Sequence, residues 1–226
     1  HAPFALFHHY RRYGYSMTYL LQRVRASGAF LVGISSLFTA YSDTAFEIAE
    51  GVKTVCPDAT VVLGGHHPTA LPQETLHHPA VDFVIRGDGE MGLPALATAL
   101  REGRPKDDLP GLCRIRSDGT MVIVPPAVNP DLDGQPSPAF DLINWRYYSR
   151  SKKGSLSLSA TRGCPLRCTY CAVNAATYHG YRQRSIASVL RELADAFKQT
   201  EVGFIDFEDE HLSADKAWFM ALMKAL

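Results

Sequence analysis

The sequence predicts an α/β chain: short buried strands alternating with helices around a parallel sheet, followed by a second strand-and-helix region. Three observations carry this. Apolar runs of strand length alternate with stretches of helical periodicity from about residue 29 onward. The runs are apolar throughout, as in strands buried on both faces. Each ends in small or polar residues, and ligands of open parallel sheets bind in such loops at the carboxyl ends of strands.

In chain order, Ala29-Phe30-Leu31-Val32-Gly33-Ile34-Ser35 reads as the first strand, followed by Ser36 and Thr39. Residues 44–55 place Ala45, Ile48, Ala49 and Val52 at helical spacing. Ala59-Thr60-Val61-Val62-Leu63 is a second strand, ended by Gly64-Gly65 and followed by His66-His67. Val81-Asp82-Phe83-Val84-Ile85 is a third, ended by Gly87-Asp88-Gly89-Glu90, and a Leu- and Ala-rich helix spans 92–101. Glycine at such strand ends serves tight turns or lets a ligand approach the backbone closely. His66 and His67 read either as cofactor-facing residues or as solvated loop histidines. These elements define a first domain over residues 1–105.

Residues 106–153 read as a connector. Leu112-Cys113-Arg114-Ile115-Arg116 and Met121-Val122-Ile123-Val124 flank Ser117-Asp118-Gly119-Thr120 as a β-hairpin. Pro125, Pro126, Pro130, Pro136 and Pro138 then interrupt regular structure. From 154 a second domain begins. Ser155-Leu156-Ser157-Leu158-Ser159-Ala160 alternates as a strand does, residues 186–199 carry a helical pattern, Val202-Gly203-Phe204-Ile205-Asp206-Phe207 is another strand, and a last helix covers 214–226.

Lys plus Arg and Asp plus Glu both number 23, so formal net charge is zero and a polyanionic partner is not expected. Nothing approaches the eighteen-residue apolar run of a membrane helix, and residues 1–10 lack a signal-peptide pattern. The five scattered cysteines fit a reducing, cytoplasmic setting.

The feature richest in chemistry is Cys164-Pro165-Leu166-Arg167-Cys168-Thr169-Tyr170-Cys171, three cysteines spaced C-x₃-C-x₂-C. A 4Fe–4S cluster usually takes four thiolates. Three leave one iron with an open coordination position, able to bind a substrate or second cofactor. The alternative is a closed zinc site with four ligands, for which His179 is the nearest candidate fourth; Cys56 and Cys113 lie far away.

The cysteine run resembles the signature of the radical S-adenosylmethionine (SAM) enzymes. The preceding strand-then-loop order resembles the start of their partial (β/α)₆ barrel. The resemblance implies a 4Fe–4S cluster on Cys164, Cys168 and Cys171, with SAM on the open iron. It implies that Tyr170 packs near the adenine, and that Glu208 and Asp209, after the second barrel strand, meet the SAM amine. Arg182 and Arg184 read either as supports for the cluster loop or SAM carboxylate, or as plain surface residues. The stretches Val32-Gly33-Ile34-Ser35, Val61 to Thr69 and Asp82 to Glu90 resemble the Rossmann-like cobalamin (B12)-binding domain that precedes many radical SAM domains. That resemblance implies a cobalamin nucleotide-tail pocket at Ser35, Ser36, Thr39, Gly64 and Gly65. One departure is plain: the Asp-x-His-x-x-Gly motif of many cobalamin domains is absent, and Asp209-Glu210-His211 lacks its glycine and lies in the other domain.

The family implies a first strand and the helix after it upstream of His1, and about four more βα units beyond Leu226. It implies a small-molecule substrate and an electron donor such as flavodoxin or ferredoxin. Methyl transfer to an unactivated carbon is the expected reaction. A radical SAM enzyme without cobalamin, performing cyclisation or rearrangement, and a non-catalytic zinc or iron–sulfur module are the alternatives. No catalytic side chain is assigned.

Overall fold

The computed structural model describes residues 14–171 and 180–226. The candidate zinc ligand His179 lies outside the described residues. Helix α1 (Met17–Ser27) opens the described chain. Ser16 caps it by accepting the Tyr19 backbone N–H at 3.2 Å, and Gly28 closes it in the left-handed region. Its Leu21 and Val24 pack against the core of the first sheet.

That sheet has the order β1-β2-β3-β4-β5. Strands β1 (Leu31–Ser35), β2 (Thr60–Gly64) and β3 (Phe83–Ile85) are parallel, with Leu31 opposite Thr60 and Val62 opposite Phe83. β4 (Leu112–Ile115) and β5 (Met121–Val122) follow as an antiparallel pair, with β4 hydrogen-bonded to β3. The hairpin expected in the connector therefore belongs to this sheet. The reason is burial: Leu112 and Cys113 are fully enclosed against the faces of β3 and its neighbours, which a free-standing hairpin could not provide.

Strand β2 is buried on both faces, which explains its unbroken apolar run. Val61 and Leu63 meet Ala45, Ala49 and Val52 of helix α2 (Ser42–Val55). Val62 meets Leu96 of helix α5 (Gly89–Arg101) on the other face. Two short helices the sequence did not reveal, α3 (His66–Ala70) and α4 (Pro72–Leu76), fill the crossing from β2 to β3. Helix α5 begins at Gly89, three residues before the periodic pattern, because its first turn faces the second domain and carries no apolar stripe of its own.

The second sheet has the order β10-β7-β6. Strand β7 (Lys153–Leu158) pairs in parallel with β10 (Val202–Phe207) and antiparallel with the short β6 (Ser149–Arg150). Helices α6 (Ile186–Phe197) and α7 (Lys216–Ala225) cover one face, where Leu156, Leu158, Val189, Leu193 and Leu222 form the core. Ser185 and Asp215 cap these helices, accepting the backbone N–H of Ser188 and of Trp218. The other face carries Ser155 and Ser157, which donate to Asp206 of β10 (3.1 Å) and to Glu208 just after it (3.3 Å).

Between β7 and α6 stands a two-stranded ladder of β8 (Thr161–Arg162) and β9 (Arg182–Gln183). The cysteine loop springs from it. No helix among the described residues is long and apolar enough to cross a membrane.

Candidate functional site: a cavity between two sheets

The carboxyl ends of β1, β2 and β3 face the carboxyl ends of β7 and β10 across a cavity of about 590 Å³. Ligand pockets of about 300–1,000 Å³ are typical for small molecules and cofactors. The first domain contributes Gly33, Ser35, Gly64, Gly65 and His66; the second contributes Ser159, Thr161, Gly163, Glu208 and Glu210.

The glycine wall has a physical meaning. A Cβ added at Gly33 or Gly64 would meet no protein atom nearer than 3.7 Å, so the space beside these backbones is the cavity itself. A glycine inside a strand such as β1 weakens it and marks close approach by another molecule. Gly65 is different. It sits at φ +107°, and a Cβ there would lie 2.6 Å from the Ser36 carbonyl oxygen. The chain turns there from β2 into α3, which places His66 at the cavity wall and buries His67 behind it.

Ser36 and Thr39, which the family resemblance implies at a cobalamin tail pocket, lie off the wall of this cavity. Ser36 is buried beneath the wall, with its N–H donated to Gly64 and its carbonyl accepting from His67. Thr39 turns its hydroxyl to His67 Nδ1 at 3.2 Å, and the histidine ring packs edge-on against Phe46. Thr39 thus supplies a partner to a ring nitrogen of the buried His67. Ser35, Gly64 and Gly65 remain at the cavity.

The two carboxylates after β10 also divide. Glu208 reaches the cavity. Asp209 does not line it. Its carboxylate accepts the backbone N–H of Ala160 at 3.1 Å and both the N–H and the hydroxyl of Thr161, so it braces the end of β7. Burial holds the Asp209 carboxyl above its ordinary value, against the pull of those hydrogen bonds. Glu210, absent from the sequence expectations, lines the cavity and accepts the Gly163 N–H at 3.1 Å.

The cysteine loop begins at this wall. Cys164, Cys168 and Cys171 are all free thiols, partly exposed, and the Cys171 N–H closes a turn onto the Cys168 carbonyl at 3.1 Å. Cys164 Sγ lies 3.8 Å from His211 Nδ1, a neighbour the sequence did not suggest. Tyr170 is almost fully exposed and stands outside the cavity. Among the described residues no three His, Cys, Asp or Glu side chains converge on a point that would hold a single metal ion.

Arg182 and Arg184 are not plain surface residues. Arg182 pairs with Asp88 at 2.6 Å. Arg184 pairs with Glu192 on α6 and donates to the Ser188 carbonyl. Asp88 comes from the turn after β3 and Glu90 from the first turn of α5, and both bind Arg162 of β8. A glycine-flanked acidic turn gave no sign in the sequence of what it would meet.

The strand ends of one α/β region and those of a second, which carries the three-cysteine run just past Gly163, thus wall a single cavity, an arrangement suited to a bound cofactor. Residues 9–97 match the family model described as the B12 binding domain. An uncharacterized methyltransferase of Pyrococcus horikoshii is 29% identical over 188 residues, covering 82% of this chain and 40% of its own length. The anaerobic magnesium-protoporphyrin IX monomethyl ester cyclase of Rubrivivax gelatinosus is 32% identical over 183 residues, covering 77% and 32%. Among solved structures, the radical S-adenosylmethionine methyltransferase TsrM from Kitasatospora setae, with cobalamin and a 4Fe–4S cluster bound, superposes with a TM-score of 0.70 at 26% identity. It covers 91% of this chain and 42% of the neighbour. The chain is thus a relative of the cobalamin-dependent radical SAM enzymes across both of its sheets, and it spans less than half the length of the relatives it matches.

Proposed function

We propose that this chain carries the two facing cofactor sites of a cobalamin-dependent radical SAM enzyme whose reaction is methyl transfer to a small-molecule substrate. The observation that supports this best is the shared cavity: the glycine-lined strand ends of one domain and the root of the cysteine loop of the other form its opposite walls.

The residues present suit both groups. Gly33 and Gly64 leave backbone bare to the cavity, as the close approach of a nucleotide tail requires, and Ser35 adds a hydroxyl at the same wall. Three thiolates on one short loop, Cys164, Cys168 and Cys171, match a cluster with one open iron. Glu208, held against Ser157 at the cavity, is placed to accept hydrogen bonds from an ammonium group such as that of SAM. Tyr170 on the same loop is free to cover an adenine. When bound, the cluster supplies the electron that cleaves SAM, and the corrinoid supplies a transferable methyl group. The protein's own part is to hold these groups at one cavity and to restrict water there. An external electron donor of the flavodoxin or ferredoxin type is part of this reading.

The test is anaerobic reconstitution of the full-length protein with iron, sulfide and hydroxocobalamin. The reduced protein should show a 4Fe–4S electron paramagnetic resonance signal that shifts when SAM is added, and corrinoid absorption should co-purify with it. A signal indifferent to SAM would overturn the radical mechanism. A SAM-responsive cluster without retained corrinoid would leave a radical SAM enzyme that uses no cobalamin.

A further inference from the structure

Among the described residues, four charged side chains, Asp88, Glu90, Arg162 and Arg182, tie the first α/β region to the second, and all four stand at the rim of the shared cavity. Arg162 on β8 and Arg182 on β9 are directly opposite in the antiparallel ladder. Opposed residues of such a ladder put their side chains on one face, close enough for like charges to repel. The strands they occupy flank the stretch of chain that bears all three cysteines. Left alone, two adjacent guanidiniums would push that two-stranded stem apart.

The first domain supplies the counter-charges. Asp88 Oδ1 accepts Arg162 Nη1 at 3.0 Å, and Asp88 Oδ2 accepts Arg182 Nη1 at 2.6 Å. One carboxylate therefore bridges both strands of the stem. Glu90 takes the Arg162 fork through both of its oxygens. The Asp88 side chain is 12% exposed and that of Arg182 16%, so solvent screens the pair less than it screens a surface ion pair. The turn bearing Asp88 is itself fixed. Gly87 bridges Ala127, the Asp88 N–H is donated to the Ala127 carbonyl at 2.9 Å, and Asp88 Oδ2 accepts the Asn129 N–H at 2.6 Å. Arg182 also donates to the Asn129 carbonyl. First domain, connector and stem thus converge on one carboxylate.

We propose that Asp88, with Glu90, is a positioning residue for the cysteine loop: it clamps both strands of the loop's stem to the turn beside the strand-end cavity and so fixes where one cofactor site sits against the other. This rests on the proposed cofactor assignment only for its purpose; the clamp itself is a property of the unloaded chain.

The experiment uses full-length protein, wild type against Asp88→Asn, Asp88→Glu and Arg162→Lys. Hydrogen–deuterium exchange is read first, without cofactors. Asp88→Asn should speed exchange of stem peptides covering 160–163 and 181–184 by about tenfold or more, while peptides of α2 keep wild-type protection. Arg162→Lys, from the other domain, should loosen the same peptides, and Asp88→Glu should partly restore them. Unchanged stem exchange in folded Asp88→Asn and Arg162→Lys would overturn the clamp. The second readout is the dipolar coupling between cob(II)alamin and the reduced cluster in protein loaded with hydroxocobalamin, iron and sulfide. A narrow distance distribution in wild type that broadens in Asp88→Asn supports the positioning role, and an unaltered distribution overturns it. Wild type that fails to load would count against the proposed function, while stem exchange would still decide the clamp.

Discussion

At the scale of single residues, two neighbours in sequence have opposite roles. Gly65 must adopt a left-handed backbone while passing 2.6 Å, at Cβ distance, from the Ser36 carbonyl. Gly65→Ala should cost at least about 1–3 kcal/mol in urea unfolding, from backbone strain alone. Two residues on, His67 is buried with Nδ1 on Thr39 and with Nε2 lacking a partner among the described residues. Burial holds its pKa below the ordinary 6.5, against the opposing charge of Glu74. The neutral ring is thus the form the fold accepts. A group depressed on folding adds stability that is whole above the unfolded value and is lost as pH falls through the folded one. Melting temperature should therefore hold from pH 7.5 to 6.5 and fall on further acidification, and His67→Phe should flatten that fall. A profile identical in both proteins would refute this account of the ring. The sequence displayed His66-His67 as an equivalent pair. Only the turn at Gly65, which sends one to the cavity and the other to the core, separates them.

At the scale of elements, strands and long helices were legible because each carries a whole apolar pattern: β1, β2, β10, α2 and α6 lie where periodicity put them. The short pieces α3, α4 and the β8–β9 stem were not, since five residues or fewer hold too little periodicity and their stability comes from what they touch. Helix α6 shows how such contacts matter. Its Glu192 is enclosed beside Arg184, and Arg184 also reaches the Ser159 carbonyl at the end of β7. Glu192→Ala would leave a guanidinium buried without its carboxylate. The expected loss is about 3–5 kcal/mol in chemical denaturation, far above that of an exposed pair. Removing the α6 cap with Ser185→Ala should cost only about 1 kcal/mol in the same assay.

At the scale of the whole molecule, the ion pairs of Asp88 and Glu90 with Arg162 and Arg182 join the two sheet regions among the described residues, and that joint should respond to acid. Burial raises the Asp88 carboxyl, but the Arg182 hydrogen bond, the Asn129 N–H and the two arginine charges outweigh it and leave it below the ordinary 3.8. Glu90 is lowered below 4.5, chiefly by its hydrogen bond to Arg162. Their contribution is present above those ordinary values and is lost as pH falls through the lowered ones. On acidification the His67-bearing domain should weaken first. Domain uncoupling, read as faster proteolysis within the connector at 130–150, should begin only below about pH 4. Uncoupling at pH 5 would place the joint elsewhere. By itself the sequence determined the α/β class, the order of the main elements and the three-cysteine loop, because each is written in local pattern and spacing. Tertiary structure alone decided that the hairpin joins the first sheet, that Thr39 meets the ring of the buried His67, and that Asp209 braces a strand end. It also set Asp88 and Glu90 against two arginines more than seventy residues away in sequence. A carboxylate's role depends on which donors folding brings within hydrogen-bond reach, and no local pattern records that.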